Sequence, residues 1–130
     1  MKNAGSRLAG AVVLGALLFG GIGAAYAGNT YASFSTTVPR FNGLGSTGYQ
    51  TKAISNAHVQ FNSTMVGGSY VVDARAEGPA YIGPWSRNVG DGDARSLSNT
   101  INKGSNTRIS FSNDLTTPQN VQVSGKWRSQ

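Results

Sequence analysis

Val121-Gln122-Val123-Ser124-Gly125-Lys126-Trp127 puts an apolar or small side chain at every odd position and a polar one at every even position. That period of two is the signature of a strand with one buried and one wet face. The same reading extends upstream. Thr107, Ile109 and Phe111 alternate with Arg108, Ser110 and Ser112. Ala32, Phe34, Thr36 and Val38 alternate with Ser33, Ser35 and Thr37, and Tyr70, Val72, Ala74 and Ala76 with Val71, Asp73 and Arg75. Ala57, Val59 and Phe61 alternate with His58, Gln60 and Asn62, and Tyr49, Thr51 and Ala53 with Gln50, Lys52 and Ile54. In these last two runs the first-named set is expected to face inward.

The punctuation suits such strands. Pro39 with Asn42-Gly43, Gly67-Gly68 and Lys103-Gly104 mark turns. Gly67-Gly68 reads as a hairpin between the strands on either side of it. Gly78 to Gly92 is the least regular stretch, because Pro79 and Pro84 do not fit a central strand. Tyr81, Ile82 and Trp85 give it an apolar anchor. Ala94 to Ile101 reads either as a strand or as a helical turn capped by Asp93. The composition is rich in Gly, Ser, Thr and Asn and poor in the strong helix formers Leu, Glu and Lys. The expectation is an all-β domain: an antiparallel sandwich or small barrel of about six to seven short strands. Because each strand keeps a polar face, a wholly parallel, doubly covered sheet is excluded.

Residues 1–27 read differently from the rest. Lys2 and Arg7 form a short positive region, Leu8 to Ala25 carries no charge, and Ala25-Tyr26-Ala27 has the small-x-small pattern of a cleavage site. The apolar run, about 18 residues, is at the lower limit for a membrane span. Glycines 10, 15, 20, 21 and 23 dilute it, and no positive cluster follows. We therefore read 1–27 as a signal peptide cleaved before Gly28, and 28–130 as a secreted β domain with no transmembrane segment. The chain has no cysteine. Packing and strand pairing alone must hold the exported domain, which suits a bacterial product better than a disulfide-rich scaffold.

Without Lys2 and Arg7, nine of the eleven basic residues remain against five acidic ones, a net charge of +4. Arg108, Lys126 and Arg128 are expected to converge on one outer face if the last two strands pair. Outside a bacterial cell such a face meets anionic cell-wall polymers, teichoic acids among them, or lipid headgroups. Nucleic-acid binding calls for a denser basic stripe with interleaved exposed aromatics, so it is not expected.

Few residues have the makings of an active site. His58 is the only histidine, and triad chemistry needs three placed groups. Asp73 and Glu77 are four apart on one strand face, hence about 13 Å apart. That is too far for a glycosidase pair, and with Arg75 nearby a surface charge cluster is the better reading. Asp91-Gly92-Asp93 offers Asp91 and Asp93 as metal ligands, but Ca²⁺ takes six to eight oxygens, and a turn in which the carboxylates bond the backbone is the alternative. Trp85 and Trp127, with Tyr49, Tyr70 and Tyr81, are candidates for a carbohydrate-stacking platform. Trp127 is in phase with the core, which leaves Trp85, with Tyr81 beside it, as the ligand candidate; the alternative is a loop anchor. No catalytic residue and no cofactor is expected.

Val123-Ser124-Gly125-Lys126-Trp127 resembles the closing V-S-G-x-W of a family of small secreted proteins of Gram-positive bacteria, a domain of unknown function. The layout is also similar: a signal peptide, a strand carrying Phe34, the segment Tyr49-Gln50-Thr51-Lys52 and a turn at Gly104. The resemblance implies secretion and a β fold, and it brings no established activity and no catalytic residues. Together these readings point to a secreted, non-enzymatic binding module at or outside the cell surface. A secreted antimicrobial or toxin-like effector acting on the envelope of competing cells is the second expectation, and a small hydrolase the third.

Overall fold

The computed structural model describes residues 26–130, with only the backbone of Tyr26 and Ala27. The expected signal segment lies outside the described residues except for its last two. These form strand β1 (Tyr26–Ala27), which runs parallel to β4 (Gln50–Thr51). The long strands are the ones the alternation marks: β2 (Ala32–Val38), β5 (Val59–Val66), β6 (Val72–Gly78), β10 (Asn106–Asn113) and β11 (Val121–Arg128). Shorter strands complete the set: β3 (Leu44–Ser46), β7 (Tyr81–Ile82), β8 (Ser86–Val89) and β9 (Ala94–Leu97). Ala94–Leu97 is thus a strand and not a helical turn. The Gly78–Gly92 stretch supplies two short strands, both paired with β6.

The strands form two sheets. The smaller has the order β2-β11-β5-β9, antiparallel throughout. The larger has β10 and β6 at its centre, with β4 and β3 along β10 and β7 and β8 along β6. Between them lies one apolar core. Phe34 and Phe61 of the smaller sheet meet Phe111 of the larger, with ring centroids 5.4 Å apart stacked and 5.8 Å apart edge-on. Val38, Val59, Val72, Ala74, Ile109, Val123 and Trp127 fill the space around them.

Three sequence expectations are corrected by this topology. Gly67-Gly68 is a turn, with Gly68 at φ 63°, but it carries the chain from β5 in one sheet to β6 in the other and closes no hairpin. The last two strands do not pair: β10 lies in the larger sheet and β11 in the smaller. The phase of the Tyr49–Ile54 run is inverted, with Gln50 and Lys52 each 1% exposed and Tyr49 52% exposed.

The inversion has a polar cause. Here the two sheets are stitched together by side chain-to-backbone bonds in place of apolar contact. The Gln50 amide donates to the Trp127 carbonyl at 3.0 Å, and the Ser129 N–H donates back to Gln50 Oε1 at 2.8 Å. The Lys52 ammonium donates to the carbonyls of Ser129, at 2.8 Å, and Ala57. Buried backbone groups at the end of β11 need partners, and long polar side chains reaching across from β4 supply them. Burial pushes the Lys52 ammonium down to about 8 from its ordinary 10.5.

Candidate functional site: two polar sheet faces

Each sheet has one face turned away from the shared core, and the two faces differ in charge. On the larger sheet, Arg108 lies opposite Glu77 and Ser110 opposite Arg75 across β10 and β6. Directly opposed residues share a face, so these side chains form one row. Glu77 accepts from Arg75 Nη2 at 3.0 Å and from Arg108 Nε at 3.1 Å. The Arg75 guanidinium lies 4.2 Å from the centroid of the Trp85 ring, and that of Arg108 lies 5.2 Å from that of Tyr49. The sequence Trp85, Arg75, Glu77, Arg108, Tyr49 is a continuous stack in which two arginines share one carboxylate. Burial alone would push the Glu77 carboxyl up, but hydrogen bonds from Arg108, Ser110 and Arg75 carry it below the ordinary carboxylate value. Asp73, on the same face, accepts from Arg87 at 2.7 Å and from the Asn88 N–H. Asp73 and Glu77 are therefore held in ion pairs, a charge cluster as expected, but Asp73 is buried at 4% exposure and does not lie at the surface.

On the smaller sheet the pairing puts Lys126 opposite Asn62 and Ser33, and Arg128 opposite Gln60. Gln60 in turn faces Ser96. None of the four strands contains an Asp or a Glu. Arg128 donates twice to Gln60 Oε1, at 3.1 and 2.7 Å, and its guanidinium lies 4.9 Å from the Tyr31 ring. The Tyr31 hydroxyl also reaches that oxygen, at 3.4 Å. With its oxygen so engaged, Gln60 keeps its amide N–H groups for another partner. Beside these residues runs a groove of about 270 Å³ lined by Tyr31, Gln60, Asn62, Ala94, Arg95 and Ser96.

The expected convergence of Arg108, Lys126 and Arg128 is corrected accordingly. Lys126 and Arg128 share the face of the smaller sheet, while Arg108 lies in the larger sheet with its charge shared by Glu77. Among the described residues Lys126 and Arg128 form no ion pair, whereas Arg75, Arg87, Arg95 and Arg108 each do. Arg40, Lys52 and Lys103 also form none but lie outside the strands, so within the strands the positive charge without a carboxylate is confined to the smaller sheet.

Asp91 and Asp93 bond their own turn and the strands beside it. Asp93 accepts from the Gly90 N–H at 2.8 Å and from Arg95 at 3.1 Å. The Gly90 bond is the main reason its carboxyl lies below the ordinary value. Asp91 accepts from the Val66 N–H. No group of three or more His, Cys, Asp or Glu side chains placed to hold a metal occurs among the described residues. Asp93 thus bonds the backbone of its own turn, as the turn alternative has it, and Asp91 ties that turn to the end of β5.

Trp85 is half-buried with Arg75 on its ring, and Tyr81 is half-buried against the core. Tyr81 thus fits the loop-anchor alternative, while the Trp85 ring is engaged by Arg75. Trp127 is in the core at 2% exposure. The exposed aromatics among the described residues are Tyr31, Phe41 and Tyr49, none of which sequence reasoning singled out as a lone candidate. The signal was present: Tyr31 is in phase with the polar positions Ser33 and Ser35, and Gln60 and Asn62 with Lys126 and Arg128 once β5 and β11 are paired. His58 is exposed at the entry to β5.

No protein-family model, no curated protein and no solved structure matches the chain.

Proposed function

We propose that this chain is an exported bacterial binding module, without catalytic activity, that holds an anionic cell-wall polymer on the outer face of its four-stranded sheet. The observation that carries the reading is the separation of charge. Lys126 and Arg128 stand on a face whose strands contain no acid, and the remaining polar groups there are Ser, Thr, Asn and Gln. Such a surface offers hydrogen-bond donors and positive charge to phosphate or carboxylate oxygens without a competing carboxylate. The rigid pairing of Arg128 with Gln60 and Tyr31 lowers the ordering cost of binding. Export is supported by the Lys2/Arg7 start, the uncharged run and Ala25-Tyr26-Ala27. Absence of catalysis is supported by the commitment of Asp73 and Glu77 to arginines and by the exposed position of the single histidine.

Co-sedimentation of the purified protein with teichoic-acid-bearing cell walls tests this reading. Binding is expected to fall as salt rises, because exposed charges are screened. It is also expected to drop at least about tenfold in Lys126→Glu combined with Arg128→Gln, a loss of about 1.4 kcal/mol or more. Arg87→Gln on the opposite sheet should bind normally. Salt-independent binding, or equal loss in both variants, would overturn the assignment of the face. If the protein binds no wall fraction but arrests growth of related strains, the effector reading replaces it.

A further inference from the structure

A second groove, of about 240 Å³, lies at the end of the larger sheet, lined by Tyr49, Glu77, Gly78, Pro79, Asn106 and Arg108. Its chemistry differs from that of the basic face. Tyr49 is 52% exposed and is the large open aromatic of this sheet, while Pro79 adds a second apolar ring. The polar groups beside them are mixed. Glu77 is an acceptor, Arg108 a donor, and the Asn106 amide is both. Arg108 spends its Nε on Glu77 Oε1 and keeps its terminal N–H groups. Both carboxylate oxygens of Glu77 are fixed, one by Arg108 and one by Arg75, and Arg75 is itself fixed on Trp85. The groove is therefore already ordered, which removes much of the entropic cost of binding.

An anion fits this groove poorly, because Glu77 faces it. A sugar ring matches it on both counts. Its C–H faces pack on aromatic and proline surfaces, and each hydroxyl donates one hydrogen bond while accepting others. We propose that the Tyr49–Arg108 groove is a saccharide-binding site that takes a pyranose ring of a neutral glycan. It is separate from the basic face, so the module engages charged and uncharged envelope chains on opposite sides.

Calorimetric titration of the whole purified protein with neutral tetrasaccharides built from glucose, mannose or N-acetylglucosamine tests the site. At least one is expected to bind with a dissociation constant in the millimolar range or tighter, with little dependence on salt. Tyr49→Ala and Asn106→Ala should each weaken that binding about tenfold or more. Tyr49→Trp should retain it, which shows that ring surface is what the site uses. Tyr49 and Asn106 are exposed, so circular dichroism of the variants should match the parent. Lys126→Glu should leave tetrasaccharide binding unchanged. Failure of all three sugars to bind, or binding that survives Tyr49→Ala, overturns the proposal. Neither outcome touches the polyanion reading, which is read out by salt and Lys126.

Discussion

Gly125 is the residue whose replacement should be felt most. It lies between Val123 and Trp127, where β11 meets β5 at a register shift between Ser124 and Gly125. A Cβ there would collide with the Asn62 carbonyl and lie 3.0 Å from the Ser63 Cα. Backbone cannot retreat as a flexible side-chain tip does, so Gly125→Ala is expected to cost about 1–3 kcal/mol or more. Urea denaturation monitored at Trp127 measures it. The V-S-G-x-W pattern thus has a physical reading: two core knobs flanking a point of close backbone approach. Lys52 gives a second prediction at this scale. Its folded value of about 8 is below the unfolded 10.5. Between those values the unfolded chain binds more protons, so raising the pH through that window stabilises the fold, by up to about 3 kcal/mol. Urea midpoints at pH 7.5 and pH 10 should show this gain relative to Lys52→Met, which lacks the titrating group. An identical pH response in the two proteins would refute a buried charged lysine.

At the scale of elements, β6 and β10 are held together by Glu77 on the side away from the core. Glu77→Gln leaves Arg75 and Arg108 facing each other without a shared carboxylate, and about 1–3 kcal/mol should be lost at neutral pH. Glu77 titrates below the ordinary carboxylate value, so its contribution is present above that ordinary value and is lost as the pH falls through its folded one. The stability gap between parent and variant should therefore close at acid pH. Which strands exist was legible because β2, β5, β6, β10 and β11 each carry several alternating apolar residues. Which strands are neighbours was not, because alternation fixes a face and says nothing of a partner. Asn113 to Gln119 reads equally well as the loop of a hairpin or as a crossing between sheets, and it is the latter. The inversion at Tyr49–Ile54 was hidden for a different reason. Gln50 and Lys52 are buried to satisfy the backbone of Trp127 and Ser129, distant residues that no local pattern connects.

At the scale of the whole molecule, a cysteine-free domain is held by one core shared between two sheets, with Phe34, Phe61 and Phe111 meeting across it. The net charge was readable from composition, but its placement was not. Arg108 looked equivalent to Lys126 and Arg128 until the sheets separated them and Glu77 claimed it. The resulting division into a carboxylate-free basic face and a compensated one is the feature from which the binding reading follows. It is tested most directly by following backbone amide resonances during titration with inorganic polyphosphate, which carries charge but no sugar. The account predicts shifts concentrated at Lys126, Arg128, Gln60 and Asn62 that vanish at high salt. Shifts centred on Arg75 and Arg108, or spread evenly over both sheets, would contradict it.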